Sequence, residues 1–322
     1  RVEAPRPVLC AGCGEKEGQG VVMLAALFGT PLAHEAYAPL FEHGRRHRGC
    51  SISQIEQRGV TVAQLRRGLE YALARAAAER WTSTNPTKRG QALTEETLTL
   101  NDFVSLVVLP ATAKRGCSYV ELVAERNQPP RWMVSVWGGQ PLSEIVACLE
   151  QHVNDHHGLS EDDPYWVYAL ASDPRATGSE LADALTVLDL SFHRVMSNVE
   201  GVVSVVDRDG VALSSRTWCA LELYEATHSR GVAVKHEVYT PAVQDELDEA
   251  GVDEDVRAVG LIDGYGAYDL GSAAIKARRE HAFPALLAAR ALEYTLEHSS
   301  TYLEADHEGI ASIVGDDADG FD

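Results

Sequence analysis

A regular alternation of short apolar runs and amphipathic segments constrains the fold most, and it begins after the paired prolines Pro129 and Pro130. Paired prolines extend neither a helix nor a strand, so residues 127–130 are predicted to be a linker. The apolar runs have the length and near-continuous hydrophobicity of buried parallel strands, and they lie near residues 131–137, 165–171, 201–207, 232–239 and 256–262. The pattern predicts an α/β domain with a five-stranded parallel sheet, helices on both faces and the flavodoxin-like strand order 2-1-3-4-5. Ligands of such sheets bind at the carboxyl ends of the strands.

The sequence is predicted to divide into four regions. Residues 1–50 are irregular and contain Cys and His, and residues 51–126 are predicted to be mostly helical and packed on the main domain. In that second region Thr61 has the side chain and position of a helix N-cap. Residues 127–300 are predicted to form the α/β domain, and residues 301–322 an acidic tail, of which Asp316 to Asp322 have a composition that favours disorder.

Charge and composition exclude some classes of partner. The chain has 28 Lys and Arg against 48 Asp and Glu, a formal charge of −20. Nucleic-acid backbones and anionic membrane surfaces attract clustered positive charge, so neither is an expected partner. The chain contains no run of 18 apolar residues, so no membrane span is expected either. Six Cys are few for this length, and the last three are widely spaced, which is typical of reduced thiols and predicts a cytoplasmic protein.

The most informative motif is an apolar strand, Val202 to Val206, followed by a serine-containing loop and a helix with Trp218-Cys219 and Glu222-Leu223. This order resembles Toll/interleukin-receptor (TIR) domains, especially those of plants. The segment Met133 to Gly138 resembles the first strand of such a domain. The separation of the two motifs exceeds that of a plant TIR domain, and the excess lies around residues 172–191.

A second resemblance covers most of the chain and is to uncharacterised TIR-like protein families of protists. It rests on a Gly-Val-Thr helix start, a Pro-x-Trp-x-Val-Ser strand, a Cys-Leu-Glu-Gln-His segment and the Trp-Cys-x-x-Glu-Leu helix. These motifs lie at Gly59–Thr61, Pro130–Ser135, Cys148–His152 and Trp218–Leu223. Those relatives carry His-Trp-Trp-Gly-Glu after the first strand, where this chain has the sequence Val136 to Gln140.

The TIR resemblance implies hydrolysis of NAD at the ribose–nicotinamide bond, with Glu222 as the catalytic carboxylate. The nucleotide would then contact the first strand and the helix start, at Ser135, Trp137, Gly138, Gly139 and Trp218. No cofactor is required, and NAD would be the substrate. A Glu near a helix start more often serves the helix dipole in solvent, and Trp218 and Cys219 are residue types that usually pack in the core.

Two alternatives keep the fold and change the function. The first is a non-catalytic TIR-like interaction module that self-associates. The second is an effector similar to the heterokaryon-incompatibility domains of fungi, which Ser135 to Gly138 and Arg216 to Glu222 also resemble.

A candidate structural zinc site lies in the first region. Cys10, Cys13, His47 and Cys50 are of the right ligand types, although the gap between Cys13 and His47 is long for a small finger. A second histidine-containing segment, Asp155 to His157, is predicted to be a solvated helix end.

Overall fold

A computed structural model describes most of the chain from residue 49 onward and shorter parts elsewhere. The described ranges are 34–41, 49–176, 190–208, 210, 216–228, 234–242, 256–262, 277, 280–292, 299 and 306–310. Within them, no helix is both long and apolar enough to cross a membrane.

The centre of the fold is a six-stranded mixed sheet. Its strands are β1 (Val60–Thr61), β2 (Trp132–Val136), β3 (Pro164–Val167), β4 (Gly201–Val205), β5 (Lys235–Pro241) and β6 (Ala258–Leu261). Their spatial order is β1-β3-β2-β4-β5-β6. The last five strands therefore lie in the predicted order, at the predicted places in the chain.

The directions of the strands differ in part from the prediction. Strands β3, β2, β4 and β5 are parallel, whereas β6 pairs antiparallel with β5 and β1 pairs antiparallel with β3. The prediction of five parallel strands is thus wrong for the fifth. The segment between β5 and β6 is long enough either to return the chain for a parallel strand or to turn it for an antiparallel one, so sequence length does not decide between them. Strand β3 is also shorter than predicted, because its chain turns into a helix at Tyr168.

Helices cover both faces of the sheet. They are α1 (Val62–Glu79), α2 (Leu100–Phe103, Val104–Val108 and Leu109–Thr112), α3 (Tyr119–Val123), α4 (Leu142–Asp155), α5 (Tyr168–Ala171), α6 (Ser191–Met196), α7 (Thr217–His228) and α8 (Ala285–Leu292). Side chains alternate along β2, so Trp132 and Val134 join the core under α1 and α4, while Met133 joins the core under α6 and α7. This alternation is what lets one strand support two separate layers.

The region before the linker shares the larger core with the sheet. Helix α1 begins with a capping box in which Thr61 and Gln64 bond each other's backbone, as expected for Thr61. Glu121 in α3 is buried and accepts hydrogen bonds from the backbone N–H of Ile52 at 2.9 Å and of Ser118 at 3.0 Å. The buried Glu121 carboxylate therefore ties the segment at Ile52 to the start of α3.

Helix α2 continues through Pro110, although a proline at such a place is expected to end a helix. Its middle stretch, Val104–Val108, is π-helical, and Pro110 follows directly in the last segment. A proline inside a helix lacks an N–H and clashes with the carbonyl four residues before it. The wider π turn accommodates both effects, so the helix continues to Thr112.

Candidate functional site

Glu222 and Ser135 meet at the carboxyl end of the parallel strands. Ser135 is the penultimate residue of β2, and Glu222 lies in the second turn of α7, which packs over that face of the sheet. The Ser135 hydroxyl donates a short hydrogen bond to a Glu222 carboxylate oxygen. The structure therefore brings the first-strand motif and the Trp-Cys-x-x-Glu-Leu helix together, although they are distant in the sequence.

The surroundings of Glu222 perturb its ionisation. The residue is half-buried, and desolvation raises the pKa of its carboxyl from 4.5 to about 7, even though the Ser135 hydroxyl favours the ionised form. Near neutral pH the group consequently exists in both protonation states. A carboxyl poised in this way is suited to acid–base work or to stabilising positive charge that develops in a transition state.

Polar side chains also lie on the next two strands beyond Ser135, β4 and β5. Ser135 lies directly opposite Ser204 on β4, and the Ser204 hydroxyl is 2.9 Å from Nε2 of His236 on β5. Ser135, Ser204 and His236 lie on the face of the sheet that α7 covers, and Glu222 meets them from α7. Polar residues on an otherwise apolar strand face require hydrogen-bond partners, and here they provide them for one another.

Trp137 has an arginine on its ring. The Arg216 guanidinium lies 4.5 Å from the Trp137 ring centroid, and Arg216 directly precedes α7. Burial lowers the pKa of Arg216, and its Nε is buried without a hydrogen-bond partner among the described residues. Arg216 was not among the predicted site residues, although its place just before the Trp-Cys motif was a signal in the sequence.

The two turn glycines allow close packing at the end of β2. A Cβ on Gly139 would lie 2.3 Å from a Trp137 ring carbon, and a Cβ on Gly138 would lie 2.3 Å from the Asn101 side-chain oxygen. Each position therefore excludes a side chain unless its neighbour moves. Gly139 and Arg216 therefore both lie against the Trp137 ring.

Trp218 and Cys219 point to the packed layer. Trp218 is half-buried, contacts the Phe192 ring edge-on at 6.4 Å and donates from Nε1 to Asp306 at 3.2 Å. Burial, followed by the charge of Glu222, raises the pKa of the Cys219 thiol to about 12. A thiol of that acidity is not a nucleophile at neutral pH.

Only one of the four predicted zinc ligands lies in the described residues. Cys50 is half-buried, and its backbone N–H donates to the Glu121 carbonyl at 3.0 Å. Cys10, Cys13 and His47 lie outside the described residues, so this site remains a prediction.

A second polar cluster, on the face of the sheet opposite Glu222, was not predicted. His152 and His156 near the end of α4 face Glu237 on β5, and the Nε2 atoms lie 3.3 and 3.1 Å from its two carboxylate oxygens. The prediction of a solvated helix end is wrong for Asp155, which is buried, and for His156, whose side chain is 19% exposed. The spacing of four between the histidines, together with a Glu inside the apolar strand β5, could have indicated the cluster.

Comparisons with models of protein families, with curated proteins and with solved structures find no match to this chain. The residues and their geometry are therefore the basis for assigning a function.

Proposed function

We propose that the protein is a TIR-like hydrolase that cleaves the ribose–nicotinamide bond of NAD, with Glu222 as the essential carboxylate. The observation that carries the proposal is the Ser135–Glu222 pair, in which a carboxyl with a pKa of about 7 lies at the carboxyl end of the parallel strands. The flavodoxin-like order of β3, β2, β4, β5 and β6 supports the same fold assignment, with an antiparallel last strand.

The chemistry requires a negative charge next to the ribose. Water adds to the anomeric carbon, the bond from that carbon to nicotinamide breaks, neutral nicotinamide leaves, and a proton is released with the ADP-ribose product. Positive charge spreads over the ribose ring in the transition state, and a carboxylate stabilises it. The Ser135 hydroxyl would hold the Glu222 carboxylate in one orientation while the reaction proceeds.

Arg216 supplies the second element that NAD requires. Its guanidinium is partly buried, stacked on Trp137, and has an Nε without a partner among the described residues. A buried, unpartnered guanidinium N–H is a strong donor for phosphate oxygens. In the proposed complex Arg216 therefore binds the pyrophosphate, while Glu222 faces the ribose.

The alternative is a non-catalytic interaction module, and the burial of Ser135 favours it. Ser135 is 4% exposed and Trp137 is covered in part by Arg216 and Gly139. In that case the Ser135–Glu222 hydrogen bond only satisfies two polar groups within the layer.

The deciding experiment follows nicotinamide release from NAD by chromatography. Wild-type protein is expected to turn over, and Glu222→Gln is expected to lose about 10²-fold or more, the typical effect of removing one electrostatic stabiliser. Glu225→Gln makes the same change on the same helix, where Glu225 lies 3.9 Å from His193, and is expected to retain turnover. Absence of release from folded wild-type protein would refute the hydrolase and leave the interaction module, whereas equal activity of both variants would refute the role of Glu222.

The pH profile gives an independent signature. Because the ionised carboxylate is the active form, kcat/KM should rise with an apparent pKa of about 7, that of Glu222 in the free protein. The nicotinamide ring of bound NAD is cationic and favours the ionised carboxylate. The pKa seen in kcat should therefore be lower than that seen in kcat/KM.

A further inference from the structure

The cluster of His152, His156 and Glu237 has the composition of a metal site. One ligand atom from each residue lies within 4.8 Å of the others. The His152 and Glu237 side chains are fully buried, and His156 is the half-buried member. The cluster joins the end of α4 to the first half of β5, on the face of the sheet opposite Glu222.

Hydrogen bonds alone leave part of this cluster unsatisfied. His152 Nε2 and Glu237 Oε2 are 3.3 Å apart, yet each lacks a hydrogen-bond partner among the described residues. Two buried polar atoms that face each other without a bond are costly. A cation bound by both His152 Nε2 and Glu237 Oε2 would give each atom a partner.

The other nitrogen of each imidazole already has a partner. His156 Nδ1 lies 2.8 Å from the His152 backbone carbonyl, which only accepts, so this nitrogen carries the proton. In the neutral ring Nε2 then presents its lone pair to Glu237 Oε1, 3.1 Å away. His152 Nδ1 lies 2.8 Å from the Tyr165 hydroxyl. Ligating histidines are held in this way, with one nitrogen bonded to an outer group and the other directed at the metal.

The geometry points to a divalent transition-metal site, best suited to Zn²⁺, formed by Nε2 of His152, Nε2 of His156 and the Glu237 carboxylate. Tetrahedral ligands about 2.0–2.1 Å from zinc are about 3.3 Å from one another. The two nitrogen–oxygen distances are close to that spacing, 3.3 Å from His152 to one oxygen of the Glu237 carboxylate and 3.1 Å from His156 to the other. Two imidazoles and one carboxylate are also the ligand types that zinc accepts when a fourth position is left for water.

The rings around the site restrict how the ligands can move. Trp132 packs edge-on against His152 at 4.5 Å, and Tyr239 does so at 5.4 Å. The burial of His152 and Glu237 leaves the His156 side as the route to solvent. The metal would thus clamp the end of α4 to β5.

The test measures zinc retained by the full-length protein after loading and gel filtration. Wild type is expected to keep zinc, and His156→Ala is expected to bind it at least about 100-fold more weakly, beyond the 10–100-fold typical of outer-shell changes. The matched control is His157→Ala, which removes the adjacent, exposed histidine and should bind zinc like wild type. Tyr165→Phe removes only the outer hydrogen bond to His152 and should weaken binding about 10-fold.

Cobalt distinguishes this site from the cysteines near the start of the chain. Co²⁺ bound by nitrogen and oxygen gives visible d–d bands without the near-ultraviolet charge-transfer band of thiolate ligands. We expect that spectrum in a variant with Cys13→Ser and Cys50→Ser, which leaves His152, His156 and Glu237 intact. Failure of the Cys-substituted protein to bind either metal, or retention of zinc by His156→Ala at wild-type affinity, would overturn the proposal.

Discussion

Replacement of Glu222 by glutamine is expected to make the protein more stable relative to wild type as the pH rises. This expectation does not depend on the protein's activity. The pKa of Glu222 rises from 4.5 to about 7 on folding, mainly because of desolvation. Between these two values the folded state holds a proton that the unfolded state has released. The free energy of unfolding therefore falls as the pH rises through this window, and the loss is complete above about pH 7.

The size of the effect follows from the same two values. Each pKa unit is worth about 1.4 kcal/mol, so integration from about pH 5 to about pH 8 gives a loss of about 2–3 kcal/mol for wild type. Glutamine has no charge to desolvate and keeps the hydrogen-bonding shape towards Ser135. The difference in stability between Glu222→Gln and wild type should thus increase by about 2–3 kcal/mol over that range.

Urea unfolding, followed by tryptophan fluorescence at both pH values, measures this difference. Glu161→Gln is the control, because bonds from Arg66 lower the pKa of the Glu161 carboxyl. The stabilising contribution of Glu161 is complete above its unfolded pKa, so its variant should differ from wild type by a constant amount over the same range. A Glu222→Gln difference that is equally constant would refute the burial argument.

Three further substitutions test the packing by urea unfolding. Gly68→Ala should destabilise the protein by about 1–3 kcal/mol, although alanine has the better helix propensity. The reason is that the alanine Cβ would lie 2.7 Å from the Tyr119 hydroxyl and 2.9 Å from Phe103, and unchanged stability would contradict the rigidity of that contact. Trp218→Ala should cost about 3–5 kcal/mol if it serves the core, and a raised KM for NAD without loss of stability would show that it binds substrate instead. Glu121→Ala should cost about 2–4 kcal/mol because it leaves buried backbone N–H groups without partners, and a loss below 1 kcal/mol would show that water replaces the carboxylate.

The sequence by itself determined the local elements. Apolar runs of strand length located β2 to β6 to within a few residues, and the Thr61 side chain marked the start of α1. These features depend on periodicity and on capping, both of which are encoded by neighbouring residues. The same local logic misjudged Pro110, because the π turn that accommodates it depends on the residues before it.

Only the tertiary structure decided which distant residues meet. The direction of β6 depends on how the connecting segment packs, and chain length alone permits both directions. Glu222 could be a solvated helix residue or a buried carboxyl, and its contact with Ser135 on another element selects the second. Likewise, His156 looked solvated next to its acidic neighbours, and it reaches Glu237 only because β5 lies beside the end of α4. Charge and desolvation act through space, so their effects on these groups follow from the packing of elements far apart in the chain.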